Sequence, residues 1–174
     1  MMEKSVMWSI VPTGWFSWDC VVQDSTQQTI AELNLSPWRE RGAICVGEVE
    51  HKISRQGAGV FVLQEGESVL ARAEKPGFFS GTFRIEYTEK QYTLESRSVW
   101  RRERVLYEEG KEIGTIIPEG AFTRRARAEF PDDMPLVLKL FVVWLTMLLW
   151  KRQSDSAAMG ASTAFIGAAA GGSS

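Results

Sequence analysis

His51 is the sole histidine, and Cys20 and Cys45 are the only cysteines, so nucleophilic or metal chemistry would have to start from these three. A thiol nucleophile needs a base within hydrogen-bond reach, and a metal site needs three or four clustered ligands. Glu48-Val49-Glu50-His51 offers one imidazole beside carboxylates, and no Cys-x-x-Cys spacing accompanies it. The expectation is a solvated strand histidine and two small buried thiols in a reducing compartment, with no catalytic residue, no metal site and no cofactor. Gly57-Ala58-Gly59 resembles a phosphate loop in composition only. No Lys-Ser/Thr pair follows and no helix begins there, so it reads as a turn or bulge.

The basic residues are the strongest functional signal. Between Arg97 and Arg127 eight Lys and Arg residues outnumber five Glu, whereas before Trp38 a single Lys4 faces four acidic residues. The chain is therefore polarised although its net charge is only −2. Arg101, Arg102, Arg124 and Arg125 form two pairs on segments that read as loops. Planar guanidinium groups suit bidentate contact with phosphate or carboxylate, so these four are the candidate anion-binding residues. A solvated basic surface that serves solubility is the competing reading. The aromatic residues Trp8, Trp15, Phe16, Trp18 and Trp38 crowd the N-terminal part. They are expected as core packing, with an interfacial aromatic patch as the sharper alternative.

The elements that must carry these residues divide into two kinds. Leu136 to Trp150, LVLKLFVVWLTMLLW, is helix-length and apolar on every side apart from Lys139. Asp132 and Asp133 are candidate N-caps, Pro135 suits a first turn, and Lys151 and Arg152 complement the negative end of the dipole. A helix without a polar face must be buried in protein or in lipid. Fifteen residues span only about 22 Å, short of the ~30 Å hydrocarbon core of a bilayer, which favours burial in protein. Lys139 fits either setting by extending its ammonium from a helix end. From Ser154 onward Ala, Gly and Ser dominate, so residues 153–174 are expected to form a flexible tail, with weak docking through Phe165 and Ile166 as the alternative.

The rest reads as strands. Thr82 to Thr88 alternates strictly, with Phe83, Ile85 and Tyr87 on one face, and Tyr92 and Leu94 continue that face past a turn at Glu89-Lys90. Trp15–Val22 and Gly59–Leu63 are shorter strand-like runs. An internal repeat with a period of 43 residues aligns Leu63–Tyr87 with Leu106–Phe130 without a gap. Leu63/Leu106, Glu65/Glu108, Gly77/Gly120, Phe79/Phe122, Arg84/Arg127 and Glu86/Glu129 are identical, and Ala71/Gly114 is conservative. A fainter third copy begins at Val22, with Ile30-Ala31-Glu32-Leu33 returning and Pro37-Trp38 following. Repeated hairpins of this period belong to barrels, sandwiches or propellers, and three units are too few for a propeller. A barrel that closes on itself removes its edges, and the apolar helix would fill it.

With 174 residues, 44% hydrophobic and 24% charged, the chain is about one ordinary globular domain. The near-neutral charge argues against nucleic acid as a partner. Nothing at the N-terminus resembles a signal peptide, so a cytoplasmic protein is expected.

The hairpin units at Glu65-Gly66 and Glu109-Gly110, the Phe83–Tyr87 strand and the helix from Pro135 to Arg152 together resemble the tubby-like superfamily. That superfamily comprises the tubby C-terminal domain, the LURP-one-related proteins and the phospholipid scramblases. The resemblance spans roughly residues 8 to 152. It implies a mainly β fold, an antiparallel closed β-barrel of about 12 strands wrapped around a hydrophobic C-terminal helix, with the barrel domain over 1–152 and its central helix over 135–152. It also implies lipid or partner binding. No acidic calcium-binding segment, lipid-attachment cysteine cluster or phosphoinositide-binding pattern of that family is present, so scrambling and phosphoinositide binding do not carry over.

The expected function is thus a non-enzymatic binding module that meets an anionic phospholipid or an acidic protein surface through its arginine loops, cytoplasmic and peripheral to the membrane. No small-molecule substrate is identified. The alternative is a single-pass membrane protein anchored by helix 136–150 and carrying a cytosolic β domain.

Overall fold

The computed structural model describes residues 4–36, 38–77 and 80–168, with side chains described as far as Gly160. Twelve strands form an antiparallel closed barrel in which every strand pairs with its neighbours in sequence. They are β1 (Ser5–Pro12), β2 (Cys20–Gln23), β3 (Thr29–Leu35), β4 (Gly42–Val46), β5 (Val49–Arg55) and β6 (Val60–Glu65). The circuit continues through β7 (Ser68–Glu74), β8 (Phe83–Tyr87), β9 (Lys90–Ser96), β10 (Arg104–Glu108), β11 (Lys111–Pro118) and β12 (Ala126–Pro131). Pairing of β1 with β12, from Ser5 opposite Pro131 to Ile10 opposite Ala126, closes the ring and leaves no edge strand.

Period-two alternation sets the inner face. Phe83 and Ile85 point inward while Arg84 and Glu86 point out; Ala126, Ala128 and Phe130 are buried while Arg127 and Glu129 are exposed. Tyr92 and Leu94 continue the Phe83 face as the alternation predicts, with the turn at Thr88-Glu89, one residue earlier than expected. The strand expected over Trp15–Val22 is shorter: only Cys20–Gln23 pairs, and Trp15 to Asp19 belongs to a loop.

The repeat has a structural counterpart in all three copies. The ladder shifts register after Val22, after Leu63 and after Leu106, the same point of each unit. A bulge there bends and twists the hairpin, which curls the sheet toward closure. Directly opposite these buried large residues stand small ones: Ala31 faces Val22, Ala71 faces Leu63, and Gly114 faces Leu106. Gly114 has no substitute, because a Cβ there would lie 2.7 Å from Phe130 Cδ1 and 2.9 Å from the Glu129 carbonyl. Phe79 and Pro37, which took part in the sequence alignment of the copies, lie outside the described residues.

The small inner residues make room for the helix. Helix α1 (Leu136–Ala168) threads the barrel, and every residue from Leu138 to Trp150 is at most 4% exposed. This is the burial that an all-round apolar helix demands, and each large side chain contributes about 1.5–3 kcal/mol. Its few polar groups find partners. The Trp144 indole donates to the Asn34 carbonyl at 2.9 Å, the Trp150 indole to the Arg102 carbonyl at 2.8 Å, and the Thr146 hydroxyl to the Val142 carbonyl at 2.9 Å. Lys139 extends to the Asp132 carbonyl at 3.1 Å, with its ammonium 5.7 Å from the Trp8 ring. Burial lowers its pKa.

Two boundary expectations change. The first helical bond runs from Lys139 N–H to the Pro135 carbonyl, so Pro135 holds the capping position and Asp132 and Asp133 lie in the turn before it. At the other end the helix does not stop near Arg152 but continues to Ala168. Gln153, Ser154 and Asp155 end the apolar pattern without ending the helix, because Lys151 pairs with Asp155 at 2.5 Å one turn on and alanine favours helix. Among the described residues no helix is long and apolar enough to cross a membrane. Of the segment 136–150, weighed as an anchor, residues 138–150 are buried inside the barrel, while Leu136 is exposed at its entry.

Candidate functional site

In a barrel built only of sequential hairpins, connections alternate between the two ends. One end carries tight turns at 24–28, 47–48, 66–67, 88–89 and 109–110, together with the entry of α1. The other carries the long loops 13–19, 36–41, 56–59, 75–82, 97–103 and 119–125. Helix α1 leaves the barrel at this long-loop end, where Trp150 and Arg152 meet the loop residues Arg102 and Glu40. The emerging helix divides the rim into two mouths.

The first mouth is aromatic. A cavity of about 520 Å³ is lined by Trp15, Phe16, Trp18, Arg102, Phe122, Arg124 and Trp150, among others. Trp15, Phe16 and Phe122 are 92%, 98% and 101% exposed, and nearby Val99 and Trp100 are above 90%. Of the five aromatic residues expected in the core, only Trp8 is fully buried; Trp18 is half-buried, and Trp15, Phe16 and Trp38 face solvent. The reason is positional. These residues lie on the long loops, outside the strand alternation that would have turned them inward.

Of the four candidate arginines, Arg102 and Arg124 come together at this mouth, and both are bound to the protein. Arg102 donates to the carbonyls of Ala121 at 3.2 Å and Thr123 at 3.1 Å, and its guanidinium lies 4.7 Å from the Trp150 ring centre. Burial lowers its pKa. Arg124 donates to the carbonyls of Ser17, Gly14 and Trp15, the last two at 2.5 and 2.8 Å, and lies 5.7 Å from the Trp18 ring. Each therefore straps one loop to another. Arg101 and Arg125 are exposed, and among the described residues no ion pair or hydrogen bond engages their guanidinium groups. Much of the surrounding basic stretch is paired too: Arg97 with Glu103 at 2.6 Å and Glu112 at 2.5 Å, and Arg127 with Glu119 at 3.3 Å.

The second mouth is charged, and sequence reading missed it. A cavity of about 660 Å³ lies between the loops 36–41, 56–59 and 75–82 and the helix exit, lined by Glu40, Arg55, Lys75, Arg152 and Asp155 with Ala58, Gly59 and Gly77. Glu40 Oε1 accepts from Arg152 Nε at 2.6 Å, while its Oε2 accepts from Arg152 Nη2 at 2.8 Å and lies 2.8 Å from Arg55 Nη1. These contacts, Arg152 first, hold the Glu40 carboxyl below the usual carboxylate range. Arg55 Nε also donates to the Gly57 carbonyl at 2.9 Å. Burial, then Arg152, lowers the Lys75 pKa. The segment Gly57-Ala58-Gly59 is the turn the sequence predicts, with both glycines at positive φ, 82° and 77°. A Cβ at Gly59 would come 3.0 Å from Lys75 Cβ, and the Lys75 N–H bonds the Gly59 carbonyl at 2.9 Å, so this turn braces Lys75. The four chain segments that build the mouth are distant in sequence. The only available signal was that Arg152 ends the apolar helix and would emerge among loops.

The nucleophile and metal candidates stay apart. His51 is 4% exposed, not solvated, because it shares the inner face of β5 with Ile53. Its Nε2 lies 3.6 Å from Glu65, and its Nδ1 has no hydrogen-bond partner among the described residues. Cys45 neighbours inward-facing Ile44 and so lies on the opposite face of the sheet from His51. Cys20 is buried in β2 opposite Leu33, and burial pushes its thiol up to about 12. Burial raises the Cys45 thiol as well. Among the described residues no group of three or more His, Cys, Asp or Glu side chains is placed to hold a metal ion.

No protein-family model matches the chain. Nor does any curated protein. Among solved structures it is similar to a protein of Arabidopsis thaliana, AT5G01750, with a TM-score of 0.56 and 11% identity, over 82% of this chain and 90% of that one. At that identity the likeness is one of fold alone.

Proposed function

We propose that this chain is a tubby-like, LURP-one-related binding module, without catalytic activity, that docks its long-loop rim on an anionic phospholipid surface. The barrel-and-helix arrangement and the likeness to the Arabidopsis protein support the family reading. One observation carries the docking reading. Trp15, Phe16, Trp38, Val99, Trp100 and Phe122, each above 90% exposed, project from four loops at one end of the molecule. Exposed apolar surface gathered in this way marks interaction sites, and tryptophan in particular prefers the headgroup level of a bilayer. Arg101 and Arg125 stand on two of the same loops and supply the electrostatic part, about 1 kcal/mol each near an anionic leaflet. Such a module is peripheral and belongs on the cytoplasmic leaflet, where anionic lipid is concentrated.

The test is co-sedimentation with phosphatidylserine-containing vesicles at low and high salt. Wild type should pellet at low salt, and Arg101→Ala/Arg125→Ala should weaken that binding several-fold and flatten its salt dependence. A Trp15→Ser/Phe16→Ser/Trp100→Ser/Phe122→Ser variant should stay in the supernatant. Wild type that remains soluble at low salt would contradict the membrane reading and leave an acidic protein surface as the partner.

A further inference from the structure

We infer that the aromatic mouth binds a small aromatic carboxylate, with its ring among the exposed aromatic side chains and its carboxylate on Arg102. The inference does not rest on membrane docking and is tested without vesicles.

Arg102 is only partly engaged by the protein. Its Nη1 donates to the carbonyls of Ala121 at 3.2 Å and Thr123 at 3.1 Å. Its Nε and Nη2 make no hydrogen bond or ion pair among the described residues, and neither is sealed from solvent. Those two N–H groups form the parallel fork that receives both oxygens of a carboxylate.

The charge is unmatched as well. Every residue of the loops 13–19, 97–103 and 119–125 and of the helix segment 150–157 is described, and together they hold four acids. Glu103 pairs with Arg97 at 2.6 Å, Glu119 with Arg127 at 3.3 Å and Asp155 with Lys151 at 2.5 Å. Asp19 accepts from the Leu35 N–H at 3.0 Å. None of the described residues lining the cavity is acidic. Burial alone lowers the Arg102 pKa, with no carboxylate among the described residues offsetting it. A guanidinium partly withdrawn from water without a counter-ion is half of a pair, and an incoming anion completes it.

The number of open donors sets the anion. Arg124, the second cation here, spends Nη1 and Nη2 on the carbonyls of Ser17, Gly14 and Trp15. One open fork matches a planar monoanion, whereas a phosphomonoester, at about −1.5 to −2, would need a second. The walls set the rest of the ligand. Trp150 lies 4.7 Å from the Arg102 guanidinium, and its indole donates to the Arg102 carbonyl at 2.8 Å, so the fork is held before a ligand arrives. Trp15, Phe16 and Phe122 are almost fully exposed and have no packing to give up when they close on a flat ring, whose faces they can stack against. A cavity of about 520 Å³ has room for such a ring.

The experiment titrates cinnamate into the full chain, with calorimetry for affinity and the tryptophan indole N–H signals in NMR for position. Binding should shift the Trp15, Trp18 and Trp150 signals and leave Trp8 and Trp144 unmoved. Cinnamamide, the same ring without the charge, should bind wild type about tenfold more weakly, the loss of one charge-assisted contact. Arg102→Gln should erase that difference, and Trp15→Ser/Phe16→Ser/Phe122→Ser should weaken both probes by a similar factor. The contrast between the two probes on wild type stands even where a variant fails to fold. No cinnamate binding at millimolar concentration, cinnamamide that binds as tightly as cinnamate, or cinnamyl phosphate that binds about tenfold tighter overturns the inference. Vesicle docking without cinnamate binding would remove this site and leave the docking rim; cinnamate binding without docking would do the reverse.

Discussion

The two mouths on either side of the emerging helix use arginine in opposite ways. At the aromatic mouth Arg102 and Arg124 donate to backbone carbonyls and lie near indole rings, so they tie loops together while the aromatic side chains face outward. At the charged mouth Arg55 and Arg152 share one carboxylate, Glu40. Density of arginine in a sequence therefore does not locate an anion site. What decides is whether carbonyls or carboxylates reach the guanidinium first.

The largest expected effect comes from the helix that separates the mouths. Leu145 is fully buried, and Leu145→Asp places an unpaired charge inside the barrel at a cost of several kcal/mol. We expect no soluble, cooperatively melting protein; such a variant recovered with a wild-type melting curve would contradict the central position of the helix.

A smaller effect sharpens the contrast between strapping and free arginines. Arg124→Ala removes three bonds to the loop 13–19 and should cost about 2 kcal/mol, whereas Arg125→Ala, on an exposed neighbour, should stay within about 0.5 kcal/mol. Urea denaturation of the two variants measures this difference, and equal losses would remove the distinction.

The smallest effect is a pH dependence at the charged mouth. The folded Glu40 carboxyl is held below its ordinary value by Arg152, so it releases its proton more readily folded than unfolded. Its contribution to stability is therefore present above about pH 4–5 and is lost as pH falls through the folded value. Melting temperature recorded from pH 7 down to pH 3 should fall less steeply for Glu40→Gln than for wild type. Identical slopes would mean that Glu40 gains nothing from its two arginines.

Much of the fold was legible in the chain. The apolar helix, the strict alternation of Phe83 to Tyr87 and the 43-residue repeat each follow from a local rule, and the bulges after Val22, Leu63 and Leu106 show that the repeat is a mechanical unit. The site was less legible. Strand alternation reports which face a residue takes but is silent on loops, which is why Trp15, Phe16 and Trp38 were expected inside. His51 erred the other way: its parity with Ile53 placed it inward, and the flanking glutamates suggested solvent. The charged mouth gathers Glu40, Arg55, Lys75 and Arg152, a convergence that only the closed barrel creates.

The most direct test of the account is tryptophan fluorescence with phosphatidylserine vesicles whose acyl chains carry bromine. Trp8, Trp144 and Trp150 are buried and should not respond, whereas Trp15, Trp38 and Trp100 are above 90% exposed. Docking by the rim predicts a blue shift and quenching on vesicle addition that fall, in a Trp15→Ser/Trp38→Ser/Trp100→Ser variant, to what the half-buried Trp18 alone contributes. Sedimentation with the vesicles but no spectral change would contradict it, because the protein would then be binding through another face.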